Sequence, residues 1–78
     1  MYMEQALLLI SLGTGFQRET IDKIRQISGV DNAHFLYGHY DMYAMIKAKD
    51  KDAMRSAVLK IREMTGIKST VTCNVLQQ

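Results

Sequence analysis

No proline occurs in this chain of 78 residues, and cysteine occurs once. A lone Cys73 excludes an intrachain disulfide, although a domain this small buries little core and often recruits a bridge, a metal or a second subunit. A signal-like segment and an apolar run of membrane length are also missing, so a soluble, cytoplasmic protein with no membrane contact is expected. With no low-complexity stretch and no Gly/Ser-rich linker, residues 1–78 read as one domain. Neither sign of charge dominates. Ten Lys and Arg against eight Asp and Glu give a net charge of +2, and bases interleave with acids along the chain, so no direct nucleic-acid surface is expected.

What the chain does contain is an internal repeat. Ile24-Arg25-Gln26-Ile27-Ser28-Gly29-Val30 returns as Ile61-Arg62-Glu63-Met64-Thr65-Gly66-Ile67, each position identical or physically similar. Each copy reads as the end of an amphipathic helix, a Gly where the chain leaves the helix in a conformation a Cβ disfavours, and a β-branched residue opening a strand. An apolar strand-like run precedes each copy. The chain is therefore predicted to be β-α-β-β-α-β, an α+β protein of ferredoxin-like plan with a four-stranded antiparallel sheet.

The segment Ala6–Leu12 is apolar on both alternating faces, as in a central strand covered from both sides. Gly13-Thr14-Gly15 breaks it. Thr14 with Gln17 has the spacing of a capping box, and Ile21, Ile24 and Ile27 share one face of a helix predicted to run to Ser28. Residues 30–37 form the second predicted strand, Gly38-His39 a tight connection, and residues 40–48 the third strand. Tyr40, Met42, Ala44, Ile46 and Ala48 line one face of the third strand, and Tyr43 and Met45 the other. Asp50 is a natural N-cap for a helix carrying Met54, Ala57, Val58, Ile61 and Met64 inward. In the last strand Val71, Cys73 and Val75 alternate with Thr70, Thr72 and Asn74, and Cys73 is expected to be a buried small hydrophobe.

Two helices cover one face of a four-stranded sheet, yet both central strands carry large apolar side chains on both faces. Leaving roughly four to six of these in water forgoes about 1.5–3 kcal/mol each, comparable to the whole stability of such a domain. A second copy packed sheet against sheet is the expected cover, giving a homodimer.

Gly38-His39-Tyr40-Asp41 at the hairpin, with Ser69-Thr70-Val71-Thr72 and Val75-Leu76-Gln77 at the end, resembles the effector-binding domain of the Lrp/AsnC transcription regulators, also called RAM. The likeness runs over nearly the entire chain: the apolar strand ending at Gly13, Ser28-Gly29-Val30, the Gly-x-Tyr-Asp turn, Gly66-Ile67 and the Thr-rich last strand. The resemblance implies face-to-face dimers of the α+β barrel type, higher oligomers such as octamers, and a small effector, usually an amino acid, bound between neighbouring dimers. Full-length members carry an N-terminal helix-turn-helix domain. Here the first strand starts almost at Met1, which points to a stand-alone sensing domain that acts on transcription indirectly, with full-length family regulators as possible partners.

Within that resemblance Gly38, His39, Tyr40, Asp41, Ser69, Thr70 and Thr72 are the candidate ligand-binding residues. Gly38 leaves backbone N–H groups unshielded, Tyr40 offers an aromatic wall, and Asp41 can pair with an α-amino group, although Asp at a turn also caps the local backbone. His39 is a candidate reader of the ligand side chain. Polar Thr70 and Thr72 also suit an edge strand with no further role. His34, His39 and Cys73 lack metal-ligand spacing. No catalytic constellation or cofactor motif is visible, and Gly13-Thr14-Gly15 lacks the remaining elements of a phosphate-binding loop. Two other readings stand beside the sensor: a small α+β-barrel enzyme of oxygenase or isomerase type, needing a protomer cavity lined by His34, Tyr37 or Tyr43, and a purely structural assembly domain.

Overall fold

The computed structural model describes residues 4–76. In chain order the elements are β1 (Glu4–Leu12), α1 (Thr20–Arg25), β2 (Val30–Phe35), β3 (Met42–Ala48), α2 (Lys51–Arg62) and β4 (Ile67–Asn74). The strands form one sheet in the order β2-β3-β1-β4, every neighbouring pair antiparallel. β1 and β3 are the central strands, as their two-sided apolar pattern predicts.

Strand alternation decides which side chains meet the helices. Ala6, Leu8 and Ile10 of β1 and Met42, Ala44, Ile46 and Ala48 of β3 are buried together with Ile21 and Ile24 of α1 and Met54, Ala57 and Ile61 of α2. Both helices therefore lie on one side of the sheet. The intervening residues Leu7, Leu9, Tyr43 and Met45 are only half-buried. They are joined on β4 by Val71, paired with Leu9, and Cys73, paired with Leu7, and no helix covers this second face. Cys73 is accordingly exposed, which corrects the expectation that it is buried: on β4 the small apolar side chains point away from the helices.

The repeat is realised at its ends and not at its beginnings. Gly29 and Gly66 both have positive φ, 101° and 91°, and the following residues donate back to the preceding turn, Val30 N to Ile27 O at 3.0 Å and Ile67 N to Met64 O at 3.3 Å. However, α2 has twelve residues and α1 only six. The predicted capping box at Thr14 and Gln17 does not form, and α1 starts after Glu19, which makes no side-chain cap. Residues 13–19 are instead drawn into a loop. Gly13 N donates to Gly66 O at 2.9 Å, Gly15 has φ 91°, and Phe16 packs edge-on against Phe35 with ring centroids 6.1 Å apart. Ile27 lies beyond α1 but still packs against the core. Arg25 takes over part of the anchoring of α1 by donating to Ala33 O from Nε and Nη2, at 3.0 and 2.8 Å.

At α2 the expectation holds. Asp50 is extended and its Oδ1 accepts from Ala53 N at 2.8 Å. Asp50→Ala is expected to cost about 1 kcal/mol, read as a lower urea midpoint with unchanged m-value. The hairpin is longer than predicted: β2 stops at Phe35, β3 begins at Met42, and Tyr40 belongs to the connection, not to the face of β3. Gly38, at φ 134°, accommodates this wider turn.

Candidate functional site

The connection between β2 and β3 is closed by Asp41. Its N–H donates to Ile10 O at 2.9 Å and its carbonyl accepts from Leu36 N at 2.8 Å, which carries the pairing of β3 with β1 one step past Met42 and Ile10. Its carboxylate Oδ2 accepts from Leu12 N at 2.8 Å. This satisfies an amide at the irregular end of β1, where the β4 register shifts between Ser11 and Leu12. The backbone-capping role of Asp41 is thus real, and it reaches across to β1 instead of staying within the turn. The residue is exposed, and among the described residues Oδ1 receives no hydrogen bond. Gly38 and His39 are exposed and Tyr40 is half-buried. A Cβ placed on Gly38 would have no neighbour within 4 Å, so the surface above this backbone is open.

On the far side of β1, Ser69 pairs with Ser11, Thr70 with Ile10 and Thr72 with Leu8. Asp41 and Ser69 therefore flank the same end of β1, about two strand spacings or roughly 10 Å apart. Thr72 sits three residues beyond Ser69 along the strand, about 10 Å away. Alternation turns Thr70 and Thr72 toward the helix side with Ile10 and Leu8, and Ser69 toward the uncovered side with Val71. Ser69 and Thr70 line a depression of about 290 Å3 with Arg62, Ile67 and Lys68. That depression excludes residues 38–41, so within one protomer the two halves of the candidate site share an end of the sheet without sharing this depression.

A wider groove of about 770 Å3 runs beside them, lined by Leu12, Gly13, Thr14, Gly66, Ile67 and Lys68. Arg62 entered the sequence analysis only as part of the helix-ending repeat and Lys68 not at all; Lys68 reaches this end through the return of β4 alongside β1, and Arg62 as the last residue of α2. The Gly13-Thr14-Gly15 segment is not a phosphate cradle, since the Gly13 amide is already bonded to Gly66 O. The residues that the enzyme reading requires do not enclose a common cavity. His34 and Tyr43 pack against each other on the uncovered face, ring centroids 5.7 Å apart, while Tyr37 is fully exposed in the hairpin connection.

Six elements in β-α-β-β-α-β order, with the sheet order β2-β3-β1-β4 and both helices on one side, define a ferredoxin-like α+β domain. Comparison with known proteins gives this class its family. The Lrp/AsnC ligand-binding domain matches residues 5–78, and the chain belongs to this family. It is 33% identical over 57 residues to the uncharacterised HTH-type transcriptional regulator PH1916 of Pyrococcus horikoshii, covering 72% of this chain and 38% of that protein. A similar regulator of Pyrococcus abyssi, PYRAB16920, is 32% identical over the same share of each chain. The chain thus spans well under half the length of these curated relatives. Among solved structures, FFRP-DM1 superposes with a TM-score of 0.83 at 26% identity, over 94% of this chain and 99% of that one. Escherichia coli AsnC has the same fold, with a TM-score of 0.75 at 22% identity over 96% of this chain and 52% of its own.

Proposed function

We propose that this chain is an amino-acid sensing module that self-associates through its uncovered sheet face, binds effector where copies meet, and modulates transcription indirectly. The observation that carries the reading is Asp41, an exposed residue whose backbone N–H and carbonyl are bonded to Ile10 and Leu36 and whose carboxylate is held by Leu12 N through Oδ2. An ammonium group approaching Oδ1 would find a charge already oriented, with little ordering left to do. Gly38, His39 and Tyr40, in the same connection, would supply the remainder of that approach. Ser69, Thr70 and Thr72 would add hydroxyls from β4, from the same or a neighbouring copy. The uncovered face formed by Leu7, Leu9, Tyr43, Met45 and Val71 favours a homodimer, and dimers assembling further would create pockets no protomer has alone. Full-length regulators of the same family are the expected targets, reached by co-assembly or by competition for effector.

A thermal-shift screen against the twenty amino acids tests this. A ligand at 100 times its Kd should add about 2.7 kcal/mol of stability, and flat melting curves at millimolar ligand would count against the reading. Asp41→Asn separates binding from folding. Asparagine keeps an oxygen for Leu12 N–H but has no charge, so stability should change little while amino-acid affinity falls about 10- to 100-fold, measured by calorimetric titration. Equal affinity in the variant would remove Asp41 from the site.

A further inference from the structure

Three of the chain's six lysines meet around a single depression. Lys47, Lys49 and Lys60 line it with Ser28, Gly29, Ala48, Ala53 and Ser56, enclosing about 320 Å3. Lys47 lies at the end of β3, Lys49 directly follows the strand, and Lys60 lies in the last turn of α2, with Ser28 and Gly29 of the turn between α1 and β2 closing the rim. No carboxylate, aromatic ring or large hydrophobe lines this space. By strand alternation Lys47 shares the side of Tyr43 and Met45, and its Nζ is compensated by Asp31 Oδ2 at 3.8 Å, while the nearby Asp50 carboxylate is bonded to Ala53 N. Lys49 and Lys60 are exposed and, among the described residues, belong to no ion pair. Lys49 and Lys60 thus leave two like charges at one rim with no ion-pair partner among the described residues, and an incoming anion would be attracted to them.

We propose that this depression is a binding site for a small, multiply charged phosphate-bearing metabolite. The volume falls at the low end of ligand pockets, and without an aromatic platform it offers nothing to a nucleobase. Lysines act as point-charge partners for phosphate oxygens, and Ser28 and Ser56 supply hydroxyl donors beside them. The site is separate from the Asp41 end of the sheet. Ala48 pairs with Glu4 at the start of β1, whereas Asp41 reaches Leu12 at its end, which separates the two by about 25 Å along the strand. An anion bound here would thus be read independently of the amino acid.

The test is a titration of the full chain with inorganic pyrophosphate at constant ionic strength, followed by backbone amide NMR, with sodium sulfate and a mixed-sequence DNA duplex as parallel arms. Saturable shifts at Gly29, Ala48 and Ser56 are expected, with the affinity falling about tenfold or more in a Lys49→Gln, Lys60→Gln double variant and unchanged in Asp41→Asn. Ser56→Asp, which places a repelling charge at the rim, should abolish the shifts without touching either lysine, so the proposal remains testable if the double variant folds poorly. Non-saturating shifts, equal shifts with sulfate, or equal affinity in the variants would overturn it. Lysine-dependent binding of the duplex without pyrophosphate binding would overturn the small-ligand assignment in favour of a nucleic-acid backbone.

Discussion

Gly66→Ala is expected to destabilise the chain by about 3 kcal/mol or more, a large share of the roughly 4–12 kcal/mol available to a domain of this length. Two effects coincide at this position. The backbone has φ 91°, and an added Cβ would lie 2.4 Å from Phe16 Cα and 2.7 Å from Phe16 N. Those are backbone atoms, so no rotamer change relieves the clash; the loop over residues 13–16 must move, taking with it the bond from Gly13 N to Gly66 O and the Phe16–Phe35 packing. Gly38→Ala is the matched control, with positive φ but open space around the new methyl, and should cost only about 1 kcal/mol. Urea titrations at one fixed protein concentration compare the two, because coupling to self-association would otherwise shift both midpoints. Equal losses at Gly66 and Gly38 would refute the close-approach argument.

Leu9→Asp is expected to turn a dimer at micromolar concentration into a monomer, measured by analytical ultracentrifugation, with helix content by circular dichroism preserved. Leu9 lies at the middle of the uncovered face, between Tyr43 on β3 and Val71 on β4. Its neighbours Leu8 and Ile10 supply the helix-side core and stay untouched. A carboxylate forced into a sheet-to-sheet contact loses its hydration without gaining a partner, at a cost of several kcal/mol, which is enough to reverse an association of micromolar strength. A wild-type chain sedimenting as a monomer at that concentration would leave the shared effector pocket without a basis.

Much of the fold was legible because its cues are local. Alternation in Ala6–Ile10 and in Met42–Ala48 identified the central strands and the side chains that reach the helices. Helical spacing of Met54, Ala57 and Ile61 and the Asp50 cap defined α2 closely. The first helix was overestimated at both ends: it starts at Thr20 and stops at Arg25, three residues short of Ser28. Thr14 and Gln17 have the spacing of a cap, but Gly13 and Phe16 gain more from contacts with Gly66 and Phe35, partners far along the chain. The candidate site was half legible: Gly38–Asp41 stood out as a turn of unusual composition, whereas the bond from Leu12 N to Asp41 depends on which strand happens to lie beside that turn.

Taken alone, the amino-acid order determined the succession of elements, the two Gly-terminated helix ends and the surplus of apolar surface on the central strands, since each follows from periodicity or from the steric freedom of one residue. Tertiary structure alone decided that Cys73 faces outward, that Asp41 is anchored to β1, and that Lys47, Lys49 and Lys60 gather around one depression. Those outcomes depend on how distant segments pair and pack. A strand's register determines which face each residue takes, and the spacing of residues along the chain carries no record of the neighbour that will be found across it.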